Sequence, residues 1–391
     1  MSDALRFGVN YTPRAGWFHH WLDFDPDEVA RDLDAIAELG ADHVRVFPLW
    51  PLFQPNRSLI RPAALRDLRQ MLDLAARRGL DVAVDGLQGH LSGFDFVPSW
   101  LTSWRRRDLF RDAAVISSTA DYLRALADAV ADAPNLLALT VGNEVNQFTG
   151  TVHPEPYVAD SADVTVWLSR MLGALHEGAP EAPVLHACYD ATWYDSTQPF
   201  TPTHAATLGD MTVVHSWVFN GTAQKYGPRA FETHAHARYL SELARAFQTD
   251  PARPVWVQEV GAPLNVLGRD DVDAFVRGTV AHLADAPELY GITWWCSHDV
   301  SRSLADFPPV EYDLGLIDEH GRAKPIARVL TEAIAEARRA RADGVAPLET
   351  RPTLELDAAT AAHRESLAPG GAFWERYMQT ARDAHPRIAL V

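Results

Sequence analysis

Cysteine, lysine and long apolar runs are scarce in this chain, and each scarcity narrows what it can be. The two cysteines, Cys188 and Cys296, end separate expected strands and lack metal-ligand spacing, so they read as reduced core thiols of a cytoplasmic protein. Lysine occurs only as Lys225 and Lys324, which reports genomic base composition and carries no function. No window reaches the roughly 18 apolar residues that a membrane span needs. The first expected strand begins near Arg6, leaving no room for a charged n-region and an apolar h-region, so no secretory signal is expected. Positive charge is outweighed as well. A net charge of -17 argues against nucleic acid and anionic membrane surfaces and favours a neutral or cationic ligand. A Gly-rich phosphate loop and an H-E-x-x-H motif are missing. The stretch GHLSG at Gly89–Gly93 places its serine one position late for a nucleophile elbow.

What is present is globular and aromatic: 47% of the 391 residues are hydrophobic, with 12 Trp and 16 Phe. That is more tryptophan than packing usually asks for, and sugar-ring stacking is one use of it. Length alone does not choose between one large domain and two, since a full α/β barrel takes about 250 residues. The order of elements does. Short apolar runs alternate with amphipathic helical stretches, the pattern of repeated βα units on a parallel sheet. Strands are expected at 7–10, 43–48, 80–87, within the stretch 136–148, and at 183–189, 211–219, 254–261 and 290–297. Helices are expected at 27–39, 62–78, 119–131, 163–177 and 231–247, around Val272–Leu283, and at 324–342, with a long loop from Gln88 to Ser117. The count is that of an α/β (β/α)8 TIM barrel with a C-terminal extension. We read 1–342 as the catalytic barrel. The segment 343–391 fits no further βα unit, carries one short helix near Phe373–Arg382, and is expected to pack on the barrel or on a neighbouring subunit, so a homo-oligomer stays open.

Barrel enzymes place their chemistry at strand C-termini, so the candidate residues are those at the strand ends. They supply Asn10 and Tyr11, Arg45, His90, Asn143 and Glu144, His215 and Trp217, Glu259, and Trp294, Trp295 and His298. The stretch LLALTVGNEVNQF is central: a strand buried on both faces that ends abruptly in Asn143 and Glu144, where a carboxylate is costly unless paired or used. VWVQEV, ending in Glu259, answers it across the mouth. Each residue alone has a structural explanation, as a cap, an ion-pair partner or core. The two glutamates together suit glycoside hydrolysis, with one carboxyl protonating the leaving oxygen and the other attacking the anomeric carbon. Arg45 would hold one of them ionised. Glu144 is the expected acid/base and Glu259 the expected nucleophile, about 5 to 5.5 Å apart if the enzyme retains configuration. His19, His20, His90 and His215 as metal ligands fit worse, because strands four and seven would then carry His or Asp. Neither a metal nor a cofactor is expected.

These residues carry a resemblance. Asn143-Glu144, Glu259 and a strand-eight Trp resemble the clan A retaining glycoside hydrolases, and Arg45 in HVRVF with His90 further resembles glycoside hydrolase family 5. The resemblance covers roughly 7–330. It implies that Asn143 binds the sugar 2-hydroxyl, Arg45 supports the nucleophile and Trp295, rather than Trp294, floors the subsite of the cleaved sugar. Asn10, Tyr11, His90, His215 and Trp217 are further expected substrate-binding residues. One departure stands out: where many members have His-x-Tyr after strand six, with the Tyr touching the nucleophile, this chain has His215-Ser216-Trp217. FGVNYTPRAGWFHHWLDFD, FPLWPLFQPNRS and GHLSGFDFVPSW resemble subfamily 18, intracellular bacterial β-mannosidases acting on the Man-β-1,4-GlcNAc unit of N-glycan cores. The aromatic loop 13–21 is expected to wall one end of the cleft into a pocket that favours exo action. The expectation is a cytoplasmic, retaining exo-β-mannosidase taking a small β-mannoside or manno-oligosaccharide. Another β-glycosidase or an endo-β-1,4-mannanase of the same clan is the alternative, and a non-catalytic carbohydrate-binding barrel a more distant one.

Overall fold

The structure is a computed structural model and describes residues 5–88, 90–104, 106–150 and 153–391; Gly89 of the GHLSG stretch and Arg105 of the long loop lie outside the described residues. Eight parallel strands form the sheet: β1 (Arg6–Asn10), β2 (His43–Val46), β3 (Asp81–Gln88), β4 (Leu136–Asn143), β5 (Val184–Leu185), β6 (Thr212–Ser216), β7 (Val255–Val260) and β8 (Leu289–Trp294). Their order, β5-β4-β3-β2-β1-β8-β7-β6, is that of a barrel opened between β5 and β6. Asp210 spans that seam. Its carboxylate accepts from the Val184 N–H at 2.7 Å and its own N–H donates to the Val184 carbonyl at 2.8 Å. Strand five therefore pairs over two residues where the sequence suggested seven, because a side chain replaces part of the ladder.

The helices pack outside: α1 (Pro26–Glu38), α2 (Pro62–Ala76), α3 (Ala113–Val130), α4 (Ser161–Gly178), a short α5 (Pro202–Thr207), α6 (His236–Ala246), α7 (Val272–Ala284) and α8 (Pro325–Ala342). Helix α3 starts six residues before the expected Thr119, since Asp112 caps it by accepting from the N–H groups of Ala114 and Val115. The helix expected over 231–247 is instead broken at Ala235 into Phe231–His234 and α6. A small inner core of Ala83, Ala138, Leu185, Ala187, Met211, Val213 and Trp256 fills the barrel, and a large outer core joins sheet to helices. Among the described residues no helix is long and apolar enough to cross a membrane.

The C-terminal segment holds α9 (Ala372–Ala381) between two strands, β9 (Thr353–Leu356) and β10 (Arg387–Leu390), that pair in parallel. It therefore is a strand–helix–strand unit after all, on strands of four residues whose alternation is too short to read reliably. It lies against the barrel. Trp374 is fully buried and meets the Tyr239 ring of α6 edge-on at 4.5 Å, and the Tyr239 hydroxyl donates to the Leu367 carbonyl at 2.7 Å. The Arg364 guanidinium donates to the carbonyls of Thr192, Gln198 and Phe200, the loop after β5. Trp374→Ala should cost about 3–5 kcal/mol in urea unfolding, the usual loss for deleting a buried aromatic; an unchanged unfolding curve would contradict this packing.

Candidate active site

Register sets the site before any side chain is considered. Asn10 pairs with Arg45 across β1 and β2, Gln88 with Asn143 across β3 and β4, and His215 with Glu259 across β6 and β7, all at the C-terminal rim. At Gly142 a Cβ would come within 2.4 Å of the Leu87 carbonyl, so glycine lets β4 close on β3 one residue before the polar end. Glu144 then turns sharply, with φ 48° and ψ 37°, into the short 3-10 turn Val145–Thr149. A non-glycine residue held there costs on the order of 1–3 kcal/mol, a strain that clusters at functional sites.

Arg45, wholly buried, is the hub of the rim. Its Nε–H and one Nη2–H donate to the two oxygens of Asp85 at 3.0 and 2.5 Å. The other Nη2–H reaches Asn143 Oδ1 at 2.7 Å, and its Nη1 donates to Asn10 Oδ1 at 3.0 Å and Glu259 Oε1 at 2.6 Å. All five donors are thereby used. Burial opposes the charge of Arg45, but Asp85 and Glu259 more than offset it and its pKa is raised. Asn10 faces inward too, its Nδ2 donating to the carbonyls of Gln258 and Trp294, so it braces Arg45 and does not reach the pocket.

Glu144 and Glu259 converge on one imidazole. His215 Nδ1 lies 2.7 Å from Glu144 Oε1 and 3.5 Å from Glu259 Oε2, and its Nε2 faces Gln258 Oε1 at 3.4 Å. Burial disfavours the charged ring, yet Glu259 and Glu144 outweigh it and the pKa of His215 is raised. With oxygen acceptors on both sides, the imidazolium makes both bonds. Burial alone would raise each carboxyl. The bond and charge of His215 instead bring Glu144 down, whereas Glu259 is raised by burial and by the Glu144 charge against the pull of His215 and Arg45. The fixed donors are unequally shared: Glu259 receives Arg45 and the Trp217 indole N–H at 3.1 Å, while Glu144 receives Gln147 at 2.6 Å besides His215.

One oxygen each of Glu144 and Glu259 and a ring nitrogen of His215 lie within 4.8 Å of one another, a set that could ligate a cation. His215 Nδ1 is already hydrogen-bonded to Glu144, and Arg45 puts a permanent positive charge 2.6 Å from Glu259. The set is therefore better suited to holding a proton than a divalent ion.

The pocket above these groups measures about 260 Å³, small for a ligand site, and is lined by His90, Asn143, Glu144, Trp217, Glu259 and Trp295 among others. Trp295 crosses Trp217 edge-on at 6.4 Å and Phe47 at 5.7 Å, while Trp294 is fully buried in the core. Trp217, where the family pattern has tyrosine, both lines the pocket and donates to Glu259. Asn143 Nδ2 donates to the His90 carbonyl at 2.9 Å, and the His90 ring meets Asp95 at 3.3 Å, in turn bonded to His153 at 2.8 Å. Tyr11 is not brought to this pocket. Its hydroxyl donates to Asp32 at 3.0 Å beside a separate cavity containing His19 and His20, and with them it falls outside the site.

Sequence reasoning missed Asp85, Gln147, Tyr189 and Glu311. Asp85 had a signal: an acid inside the apolar strand VAVDG must be paired. Tyr189 ends the fifth expected strand and lines the pocket. Glu311, in the loop after β8, had none.

A two-carboxylate site at the rim of a (β/α)8 barrel, lined by tryptophan, defines a glycoside-hydrolase class of site. No family model and no curated protein matches the chain, but solved structures do. A subfamily 18 member of glycoside hydrolase family 5 from Streptomyces cattleya, solved as a Glu-to-Ala variant in complex with Manβ1-4GlcNAc, is 54% identical. The match covers 99% of this chain and 94% of that one, with a TM-score of 0.95. A subfamily 18 member from Bifidobacterium longum subsp. longum ATCC 55813, solved with the same disaccharide, is 44% identical over 99% and 91% of the two chains, with a TM-score of 0.94. An exo-β-1,4-mannosidase from Opitutaceae bacterium strain TAV5 is 27% identical over 99% of this chain and 69% of that one, with a TM-score of 0.74. The chain belongs to glycoside hydrolase family 5, subfamily 18, and is a glycoside hydrolase.

Asp85→Ala should cost about 3–5 kcal/mol in urea unfolding, because it leaves the buried Arg45 charge half-matched. Wild-type stability in this variant would remove Asp85 from the hub.

Proposed function

We propose that the enzyme removes terminal β-1,4-linked mannose from small oligosaccharides, Man-β-1,4-GlcNAc of N-glycan cores among them, by double displacement. The observation that carries this reading is the convergence of Glu144 and Glu259, an oxygen of each lying within 4.8 Å of the other, closer than an inverting pair, which stands about 6.5–9.5 Å apart to admit a water. In this reading Glu259 is the nucleophile. Burial and the Glu144 charge raise its carboxyl, but Arg45 and Trp217 keep their protons near neutral pH, so their bonds favour its ionised form for attack once the shared proton neutralises Glu144. Glu144 is the acid/base, and its proton is the one held between Glu144 and His215. It passes to the glycosidic oxygen as Glu259 Oε attacks C1 and the leaving group departs. Glu144 then takes a proton from water, which displaces Glu259 and restores the β-configuration. Asn143 keeps one Nδ2–H for the sugar 2-hydroxyl, and Trp295 floors the ring.

Exo action is supported by the closed end of the pocket. Trp17 of the loop after β1 meets Phe307 of the loop after β8 at 4.7 Å, and Phe307 meets Phe94 of the loop after β3 at 4.9 Å. Trp17, Phe18 and Trp21 are themselves buried and do not line this pocket, so loop 13–21 acts from behind, as a buttress. Small size and a closed end suit a mono- or disaccharide. The exo-β-1,4-mannosidase and the Manβ1-4GlcNAc complexes among the similar structures support the substrate assignment. Two buried unpaired cysteines suit the reducing cytoplasm.

Glu144→Gln and Glu259→Gln should each lower kcat/KM for an aryl β-mannoside with a poor leaving group by about 10²–10⁴-fold or more. Unchanged activity in either removes that residue's role. With azide, Glu144→Ala should form the β-mannosyl azide and Glu259→Ala the α-anomer; the reverse pairing would exchange the two roles. Internal cleavage of mannohexaose, or preference for aryl β-glucoside over aryl β-mannoside, would favour an endo-mannanase or another β-glycosidase.

The pH profile follows from His215. A raised pKa means the shared proton is present below it and lost above it, so the alkaline limb of kcat/KM should fall above pH 6.5. A limb centred near 5 would detach the proton from His215.

A further inference from the structure

A third carboxylate faces the pocket and has no part in the double displacement. Glu311 lies in the short 3-10 turn Pro309–Asp313 of the loop that follows β8, half-buried, and lines the pocket together with Ser92, Gly93, Pro308 and Val310. The Ser92 hydroxyl donates to Glu311 Oε2 at 2.9 Å, and the Trp295 indole N–H is a second donor. Burial pushes the Glu311 carboxyl up to about 7, with Glu259 adding to the rise against the bonds from Ser92 and Trp295. An acid this costly to bury needs a partner or a use.

The loop that carries it is braced for positioning. Lys324 Nζ donates to Asp299 at 2.7 Å and to the Asp313 carbonyl at 2.8 Å, and the Tyr312 hydroxyl donates to the Leu304 carbonyl at 2.6 Å. Pro308 sits so close to Gly93 that a Cβ there would meet its ring at 3.0 Å, which seals the rim between the two loops. The pocket therefore has two ends. Gln147, bonded to Glu144, and Tyr189, which feels the Glu144 charge, stand at the end where the leaving group must sit. Glu311 stands at the sealed end, tied to the edge of the tryptophan that floors the sugar ring.

We propose that Glu311, held by Ser92 and Trp295, is a specificity-determining residue that accepts a hydrogen bond from the free 4-hydroxyl of the terminal sugar. In a β-1,4 chain only the non-reducing terminal residue has that hydroxyl. An interior residue brings an ether oxygen with no proton to donate and a further sugar that the sealed rim excludes. A single carboxylate thereby reads chain ends. This deepens the exo-mannosidase reading and rests on it.

The test is a cycle between enzyme and substrate: kcat/KM for an aryl β-mannoside and its 4-deoxy and 6-deoxy analogues, with wild type, Glu311→Ala and Glu311→Gln. Wild type should lose on the order of 100-fold or more on the 4-deoxy substrate, as sites built around a hydroxyl do. Glu311→Ala should lose a similar factor on the parent and only a few-fold more on the 4-deoxy analogue. Glu311→Gln, which keeps an acceptor oxygen, should fall between. Full 4-deoxy discrimination in Glu311→Ala, or coupling to the 6-deoxy analogue instead, overturns the assignment. Should both variants misfold, wild type decides alone, and equal rates on parent and 4-deoxy substrate overturn it. If wild type hydrolyses aryl β-glucoside but not β-mannoside, the mannosidase reading falls and the cycle is run on the glucoside, whose 4-hydroxyl has the same orientation. Activity on neither removes both readings.

Discussion

Everything at the rim depends on one buried guanidinium. Arg45 has no exposure, and its planar fork meets acceptors from β1, β3, β4 and β7, so four strands are locked in register by a single side chain. Burying such a charge costs several kcal/mol unless the geometry is excellent. Here every donor is matched, with Asp85 taking two of the five and Glu259 one. The same side chain holds Glu259 itself and Asn143, the neighbour of Glu144, so the register of the barrel and the placement of the two carboxylates are one constraint.

Around that hub the protein divides its polar groups by whether they titrate. Glu259 is surrounded by donors that keep their protons, Arg45 and the Trp217 indole, whereas Glu144 faces an imidazole that can give one up. Two buried carboxylates in one pocket are pushed apart in behaviour by their neighbours more than by their distance. Trp217 stands where the family resemblance leads one to expect tyrosine: its indole N–H donates to Glu259 and its ring also forms pocket wall.

The loops do a separate job. Aromatic contacts from the loops after β1, β3 and β8 meet at Trp17, Phe94 and Phe307, and a cleft becomes a pocket. The wall is assembled from residues remote in sequence and mostly hidden behind the surface the sugar meets. The C-terminal unit is likewise joined to the barrel by long-range contacts, through Trp374, Tyr239 and Arg364, far from the chemistry.

The sequence by itself determined the barrel, because eight alternations of apolar run and amphipathic helix are local patterns of period 2 and 3.6. It also singled out Glu144, Glu259, Arg45, Asn143, His215 and Trp295, because barrel chemistry sits at strand ends and a strand end is visible in one dimension. Only the tertiary structure decided which way those ends face. Asn10 turns inward to Arg45 and Tyr11 toward Asp32, since adjacent residues leaving a strand point to opposite sides. Boundaries moved where a side chain overruled the pattern, as at the Asp112 cap and the Asp210 seam. Glu311 reaches the pocket through a loop with no periodicity, folded back over the rim by contacts with Ser92 and Gly93 of the loop after β3, and no local pattern encodes such a return.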